Sequence, residues 1–541
     1  LAVSFIDQGV GVLRKRLVFA SMGYFGSTVL MQGVAQLCAL WVIMALVLAG
    51  CAAPASHYAR TATNSLHMQA ELEVFQQPVK ASVRLLGDGQ EALLARLALI
   101  ARAQTQLDLQ VYILKTDSSA NLILQALLQA ADRGVLVRLL VDDFGSAQQD
   151  DRLASLASHP NIAVRLFNPS RSRQLPLADL LFSFSLQSRR MHNKLMLADN
   201  SLAILGGRNI GDEYFTATAN ASFHDADILT GQAFAARLQH AFGLYWHHAL
   251  SVPVEAIRPG VQPNAYQELR TQLPITAAQS TLVVQAGEYN HKVLEQLRYG
   301  AKVEGYILLD HPDKVLRPSA DKVGHLVPAM QQVLSGVKQS ALMVSAYFVP
   351  QPELIKKFEQ WIAEGASVTV LTNSLAATDV AAVHAGYAPF RQSLLDAGVG
   401  LWEFKPDSKK GGSRVATAVT GSSKASLHAK TFVFDQRYLF IGSLNLDPRS
   451  VSINTEIGIL LDAPKHAAEV TAAINKLLPY RAYQLVLNNE AGALCRISWR
   501  ELIEKTGPAP EYKTHCTEPK ASVFRRLFVN LLSWLPISKQ L

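Results

Sequence analysis

RMHNKLMLADNSLAILGGRN, residues 190–209, carries a His, a Lys two places on, an Asp five further along, then a glycine pair and an Asn. SLHAKTFVFDQRYLFIGSLN, residues 426–445, repeats that order with the spacing kept to the residue. His192 and Lys194 match His428 and Lys430, Asp199 matches Asp435, and Asn209 matches Asn445. A doubled motif of this kind points to one site that needs two of the same group.

Around each motif the chain repeats itself more loosely. Residues 80–114 read strand, turn, helix, strand, and so does 303–350. A helix ending at Gly134 and a strand rich in Leu and Val (126–143) find their counterpart in 354–374, where Gly365 ends the helix. The segment 162–169 answers 399–406. Strands alternating with helices indicate α/β architecture. The expected fold is a duplicated α/β domain, each copy a mixed, mostly parallel sheet flanked by helices, with the site between the halves. Residues 81–260 and 300–490 are the expected copies. Residues 261–299 connect them, and 491–541 form a tail.

The motifs predict strands on which residues two apart share a face, so each His and Lys point together. Asp199 and Asp435 fall at turns; both count among the candidate catalytic residues, with a turn cap as their plainer reading. The glycines that follow can turn tightly and leave N–H groups for an anion. A lysine and an amide can grip phosphate oxygens. An imidazole can attack or move a proton. Two such half-sites would give one His to attack phosphorus and one to protonate the departing oxygen.

Both copies fit H-x-K-x4-D-x6-G-[GS]-x-N, and here the chain resembles the phospholipase D superfamily. Within it, the sequence is similar to bacterial cardiolipin synthases of the C type. RRMHNKLMLAD, LGGRNIGDEYF, TNSLAATDVAAVHAGYAPFR, SLHAKTFVFD and IGSLNLDPRSVSINTEIG carry the likeness. The resemblance implies a phosphatidyltransferase that forms cardiolipin from phosphatidylglycerol and a donor, phosphatidylglycerol or phosphatidylethanolamine, through a phosphohistidine. It implies His192 as nucleophile and His428 as acid and base, with Lys194, Lys430, Asn209 and Asn445 on the phosphate. A carboxylate is expected to orient each His: Glu456 is one candidate, and Asp225, with Asp227 as alternative, the other. Arg208 and Arg449 are candidates for the phosphate or the acceptor lipid, and His384 for a headgroup. No cofactor and no metal are expected. Hydrolysis of the same intermediate by water is the alternative reading, and a nuclease the third. The third fits poorly, for want of a basic stretch with stacking aromatics.

Composition bounds these readings. The 541 residues are 49% apolar and 17% charged, enough to bury large cores, and the net charge of +8 suits anionic phospholipids and a membrane surface. The two copies form a pseudo-dimer in one chain, expected to act as a monomer without nucleic acid. Arg14, Lys15 and Arg16 precede a stretch from Leu17 to Gly50 without a charge, and Leu48–Cys51 reads LAGC. This resembles an export signal (1–50) with a lipobox. Residues 51–80 would then be a tether lipidated at Cys51, and the protein a membrane-associated lipoprotein facing the periplasm of a Gram-negative cell. A membrane-spanning anchor is the other reading. Cys495 and Cys516 remain to pair or stay free. The stretch 522–541 predicts an amphipathic helix with Arg525 and Arg526 opposite the apolar side, for a membrane surface or packed on the protein. The Leu- and Phe-rich stretch 175–190 is a core element or a lipid contact.

Overall fold

The computed structural model describes residues 65–170, 188–215, 222–334, 336–406, 425–488, 494–503 and 510–534. The expected signal segment, Cys51 and most of the Leu- and Phe-rich stretch lie outside them.

The first half contributes β1 (Val79–Leu86), β2 (Gln106–Val111), β3 (Leu136–Asp142), β4 (Ile162–Phe167), β5 (Leu195–Ala198), β6 (Leu202–Gly206), β7 (Ser222–His224), β8 (Asp227–Thr230) and β9 (Ser251–Pro253). The second contributes β10 (Lys302–Leu309), β11 (Ser340–Ser345), β12 (Ser367–Asn373), β13 (Gly400–Phe404), β14 (Ala425–Leu427), β15 (Lys430–Phe434), β16 (Tyr438–Gly442) and β17 (Ile457–Asp462). Then follow β18 (Ala482–Leu487), β19 (Ile497–Ile503) and β20 (Glu511–His515).

The halves repeat one topology. In the first, β4, β3, β2, β5, β6 and β8 lie side by side. In the second, β13, β12, β11, β15, β16 and β17 do the same. Both sheets are mixed, as expected. Within these two sheets parallel pairing is confined to β2–β3–β4 and β11–β12–β13, so antiparallel pairs, not parallel ones, predominate. The reason is the motif itself: its two strands are joined by a three-residue turn, and a connection that short makes an antiparallel hairpin.

β1 binds the halves together, since it pairs with β8 through Val83–Leu86 and with β10 through Val79–Ser82. One hydrophobic core covers the first half's outer face, built on the helices Gly89–Arg102 and Ser118–Asp132. A second draws on both halves, with Leu197, Leu205, Ile228 and Phe234 packed among Ile307, Val433, Ile441 and Ile459. Truncating one of these, as in Leu205→Ala, costs about 2–5 kcal/mol.

The expected tether, connecting segment and tail all contain ordered elements. Residues 65–76, expected in the tether, form a helix that buries Met68 and Phe75. Its Glu71 accepts from His311, and Arg317 donates to Ser65. The connecting segment folds into the helices Ala265–Thr271 and Ala277–Tyr299. The tail adds β19, β20 and the helix Val523–Ser533, stapled by a disulfide between Cys495 and Cys516. Among the described residues no helix is long and apolar enough to cross a membrane.

Candidate active site

The motif strands begin later than the sequence reading predicts. His192 and His428 stand on extended lead-ins, and the strands begin at Leu195 and Lys430. Each lead-in is held by the other half. His192 N donates to Thr455 O and Thr455 N to Arg190 O, both at 2.9 Å. In mirror fashion β14 runs parallel to β7, and His428 N donates to His224 O at 2.9 Å.

This exchange brings Glu456 and Asp225, the residues after Thr455 and His224, against the opposite imidazoles. His192 Nδ1 lies 2.9 Å from Glu456 Oε2, and His428 Nδ1 lies 2.6 Å from Asp225 Oδ2. All four side chains are buried. With the Nδ1 proton on the carboxylate side, each Nε2 keeps its lone pair for chemistry. Asp227, the alternative to Asp225, instead receives Arg96 and Arg208.

The glycines serve the carboxylates rather than an anion. Gly207 N donates to Ala226 O and Ser443 N to Ile457 O, so those N–H groups are spent within the fold. A Cβ at Gly207 would stand 2.2 Å from Asp225 Oδ1. At the matching position of the second motif, Ser443 Oγ donates to Glu456 Oε2 at 2.5 Å. Glu456 is further fixed by its own N–H on Asp310 Oδ2, which also receives Lys314 Nζ, each at 2.8 Å.

The two lysines are buried beside their histidines. Lys430 Nζ lies 2.8 Å from His428 Nδ1, and Lys194 Nζ donates to His192 O. Burial, then the charges of Lys194 and Lys430, hold His192 well below the ordinary imidazole range. Burial, then Lys430, brings His428 down to about 4. His192 thus feels the second motif's lysine and His428 the first's, so the motifs form one electrostatic site. Burial pushes Glu456 up to about 7. Burial opposes ionisation of Asp225 too, but Lys430 and the His428 hydrogen bond outweigh it, and its pKa is lowered. Burial lowers both lysines. An anionic phosphodiester between them would offset that and favour their charged forms.

Three tyrosines that the motif does not contain complete the surroundings. Tyr112 packs edge-on to His192 at 5.0 Å between centroids, and Tyr214 to His428 at 5.2 Å. Tyr347 donates to Asp379 at 2.7 Å. Tyr112 also borders a cavity of about 410 Å³ with Lys115 and Phe144. Tyr214 follows LGGRNIGDE at the motif's end, a faint signal; Tyr112 and Tyr347 had none.

Other candidates fall elsewhere. Asn209 Oδ1 accepts from Ile113 N, and its amide donates to Tyr214 Oη at 2.9 Å. Asn445 is buried with its Oδ1 unpartnered among the described residues. Asp199 and Asp435 are no part of the catalytic cluster: they occupy the hairpin turns with φ of 50° and 54°. Asp199 accepts from the N–H groups of Gln104, Thr105 and Gln106, and Asp435 from those of Lys338, Gln339 and Ser340. Arg208 is a buried brace, donating to Leu86 O, Gly87 O and Asp225 O. His384 is buried against Glu518 and Arg391, away from any headgroup role. Arg449 is partly buried and interacts electrostatically with Tyr112, at the edge of the first half-site.

A family model described as "Cardiolipin synthase, PLD-like domain" matches residues 97–246 and 330–478. The chain belongs to this family. The first matched range contains His192, Lys194, Asn209 and Asp225, and the second His428, Lys430, Asn445 and Glu456. The chain is 34% identical to cardiolipin synthase C of Escherichia coli K12 over 85% of this chain and 96% of that protein. It is 33% identical to an uncharacterised protein of Helicobacter pylori over 85% and 90% of the two chains. Among solved structures it resembles phosphatidylserine synthase of Haemophilus influenzae, with a TM-score of 0.53 and 15% identity over 77% of this chain and 92% of that one. That likeness speaks for the shared fold.

Proposed function

We propose that this protein is a phosphatidyltransferase that makes cardiolipin from phosphatidylglycerol and a phospholipid donor, with a phosphohistidine on the way. The observation that carries the reading is the pair of imidazoles, each oriented through Nδ1 by a buried carboxylate of the other half, beside two buried lysines. The 34% identity to a cardiolipin synthase C supports the lipid substrate.

In the first step His192 Nε2 attacks phosphorus, and the bond to the headgroup oxygen breaks. That oxygen takes the proton from His428 Nε2. In the second step a hydroxyl of phosphatidylglycerol gives its proton to His428 and attacks phosphorus. The phosphorus–nitrogen bond breaks and His192 is regenerated. Lys194 and Lys430 hold the charge that builds on the phosphoryl oxygens. His428 must be protonated to act first. The bound phosphodiester anion, by countering the lysines, raises its affinity for that proton.

The deciding experiment supplies labelled phosphatidylglycerol, with and without phosphatidylethanolamine, and identifies the products. Labelled cardiolipin is expected. Phosphatidic acid alone would mean that water is the acceptor, and the transferase reading would fall. The LAGC segment supports a lipid-modified Cys51 and an envelope location. Mass spectrometry of the mature protein tests it, and an unmodified Cys51 would refute it.

A further inference from the structure

The helix Val523–Ser533 lies on the protein the opposite way round from an ordinary surface helix. Its inward residues are Arg525 and Val529, both buried, with Leu532 partly buried beside them. Its outward residues are large and apolar: Phe524 is 78% exposed, Leu527 60%, Leu531 66% and Trp534 just beyond it 87%, with Val523 and Phe528 beside them. A hydrophobic stripe would normally drive such a helix to turn over and bury it, at roughly 1.5–3 kcal/mol for each large side chain. Arg525 prevents this: its guanidinium donates to Thr378 O at 2.6 Å, and Ser522 caps the helix start. The sequence reading placed Arg525 on the solvent side; the structure uses it as the inward anchor.

We infer that this outward stripe is a membrane-docking surface, seated in the interfacial zone of a bilayer that contains anionic phospholipid. Charge selects this occupant. From Pro519 onward the sequence has no Asp or Glu, and besides the inward Arg525 it holds Lys520, Arg526 and Lys539. Lys520 is exposed two residues before Ser522. An apolar stripe flanked by basic groups is the chemistry that binds an anionic lipid surface. The position suits the same occupant. Thr378 adjoins Asp379, which accepts from Tyr347, and Tyr347 lies two residues beyond Ser345, the strand partner of Lys430. The helix is therefore tied through one short loop to the surroundings of the site. The inference rests on the lipid substrate proposed above and adds the element that presents the site to the bilayer.

The test uses the full chain on vesicles of phosphatidylglycerol and phosphatidylcholine whose acyl chains are brominated. Quenching at Trp534 is read as the difference from Trp534→Phe, so that an N-terminal anchor does not enter the reading. Strong quenching at Trp534 is expected, with loss of that quenching in Phe524→Ser/Leu527→Ser/Leu531→Ser. That variant should also lose at least about tenfold in transfer on vesicles while keeping its rate on detergent-dispersed lipid. An unquenched Trp534, or a triple variant as active on vesicles as the parent, overturns the inference. A parent that sediments as a dimer while the triple variant is monomeric, with Trp534 unquenched, would assign the stripe to a second copy and overturn it as well. Quenching without any cardiolipin formed would leave the docking surface standing and remove the transferase reading.

Discussion

His192 Nδ1 lies 2.9 Å from Glu456 Oε2, although 264 residues separate them, and His428 meets Asp225 in the same way across 203. Each half therefore supplies the nucleophile-type group of its own motif and the orienting group of its neighbour's. Glu456→Gln and Asp225→Asn are expected to lower kcat by about 10²–10⁴-fold, because the wrong tautomer or rotamer turns Nε2 away. Steady-state transfer with labelled phosphatidylglycerol checks it. A wild-type rate in either variant would mean that the carboxylate is only packing.

The proposed mechanism has both histidines acting in one site, so His192→Ala and His428→Ala should each abolish turnover, and the double variant should be no worse than either single one. An equimolar mixture of the two single variants should stay inactive, since each chain contains the whole constellation. Recovery of activity on mixing would reveal a site shared between chains.

Gly207→Ala should inactivate through Asp225. The added Cβ would stand 2.2 Å from Asp225 Oδ1, so the carboxylate must move off His428. Ser443→Ala acts on the other pair by removing a hydrogen bond to Glu456. It should cost less, on the order of 1.5–3 kcal/mol at most. Comparing kcat for the two at matched fold stability separates these effects.

The pH behaviour follows from burial and, next, from the lysines. Burial and then Lys430 disfavour the imidazolium of His428 and hold it at about 4, so in the free enzyme this ring is neutral at pH 7. Lys430→Met removes the cation, and the His428 pKa should rise towards the ordinary value of about 6.5. Binding of a phosphodiester analogue to the wild type should shift it in the same direction. Imidazole ¹⁵N NMR of selectively labelled protein reads both. A His428 pKa unmoved by Lys430→Met would refute the assigned cause.

Asp199→Asn and Asp435→Asn should destabilise rather than inactivate. Each carboxylate gathers three backbone N–H groups, and weakening that cap costs about 1–3 kcal/mol. Urea midpoints should fall while kcat of the folded fraction is retained. A selective loss of kcat would place these residues in the chemistry after all.

The sequence by itself determined the duplication, the α/β character and the two His–Lys pairs that the structure brings together. His, Lys and Asn recur at fixed spacing, and a spacing within one hairpin is local information. It also marked Glu456 and Asp225 as orienting carboxylates, through resemblance. Only the tertiary structure decided which carboxylate serves which His, because parallel pairing of lead-in segments across the halves is a long-range contact without a sequence period. The same holds for Tyr112 and Tyr347, which reach the site from the ends of β2 and β11 rather than from the motif. Turn chemistry explains the third shared letter of the repeat: an Asp tolerates positive φ and caps the N–H groups beside it, so its recurrence is a folding requirement. Arg208 and His384 misled for the converse reason. A charged residue beside a motif looks functional in one dimension, while burial and partners, which a sequence does not display, turn it into a brace.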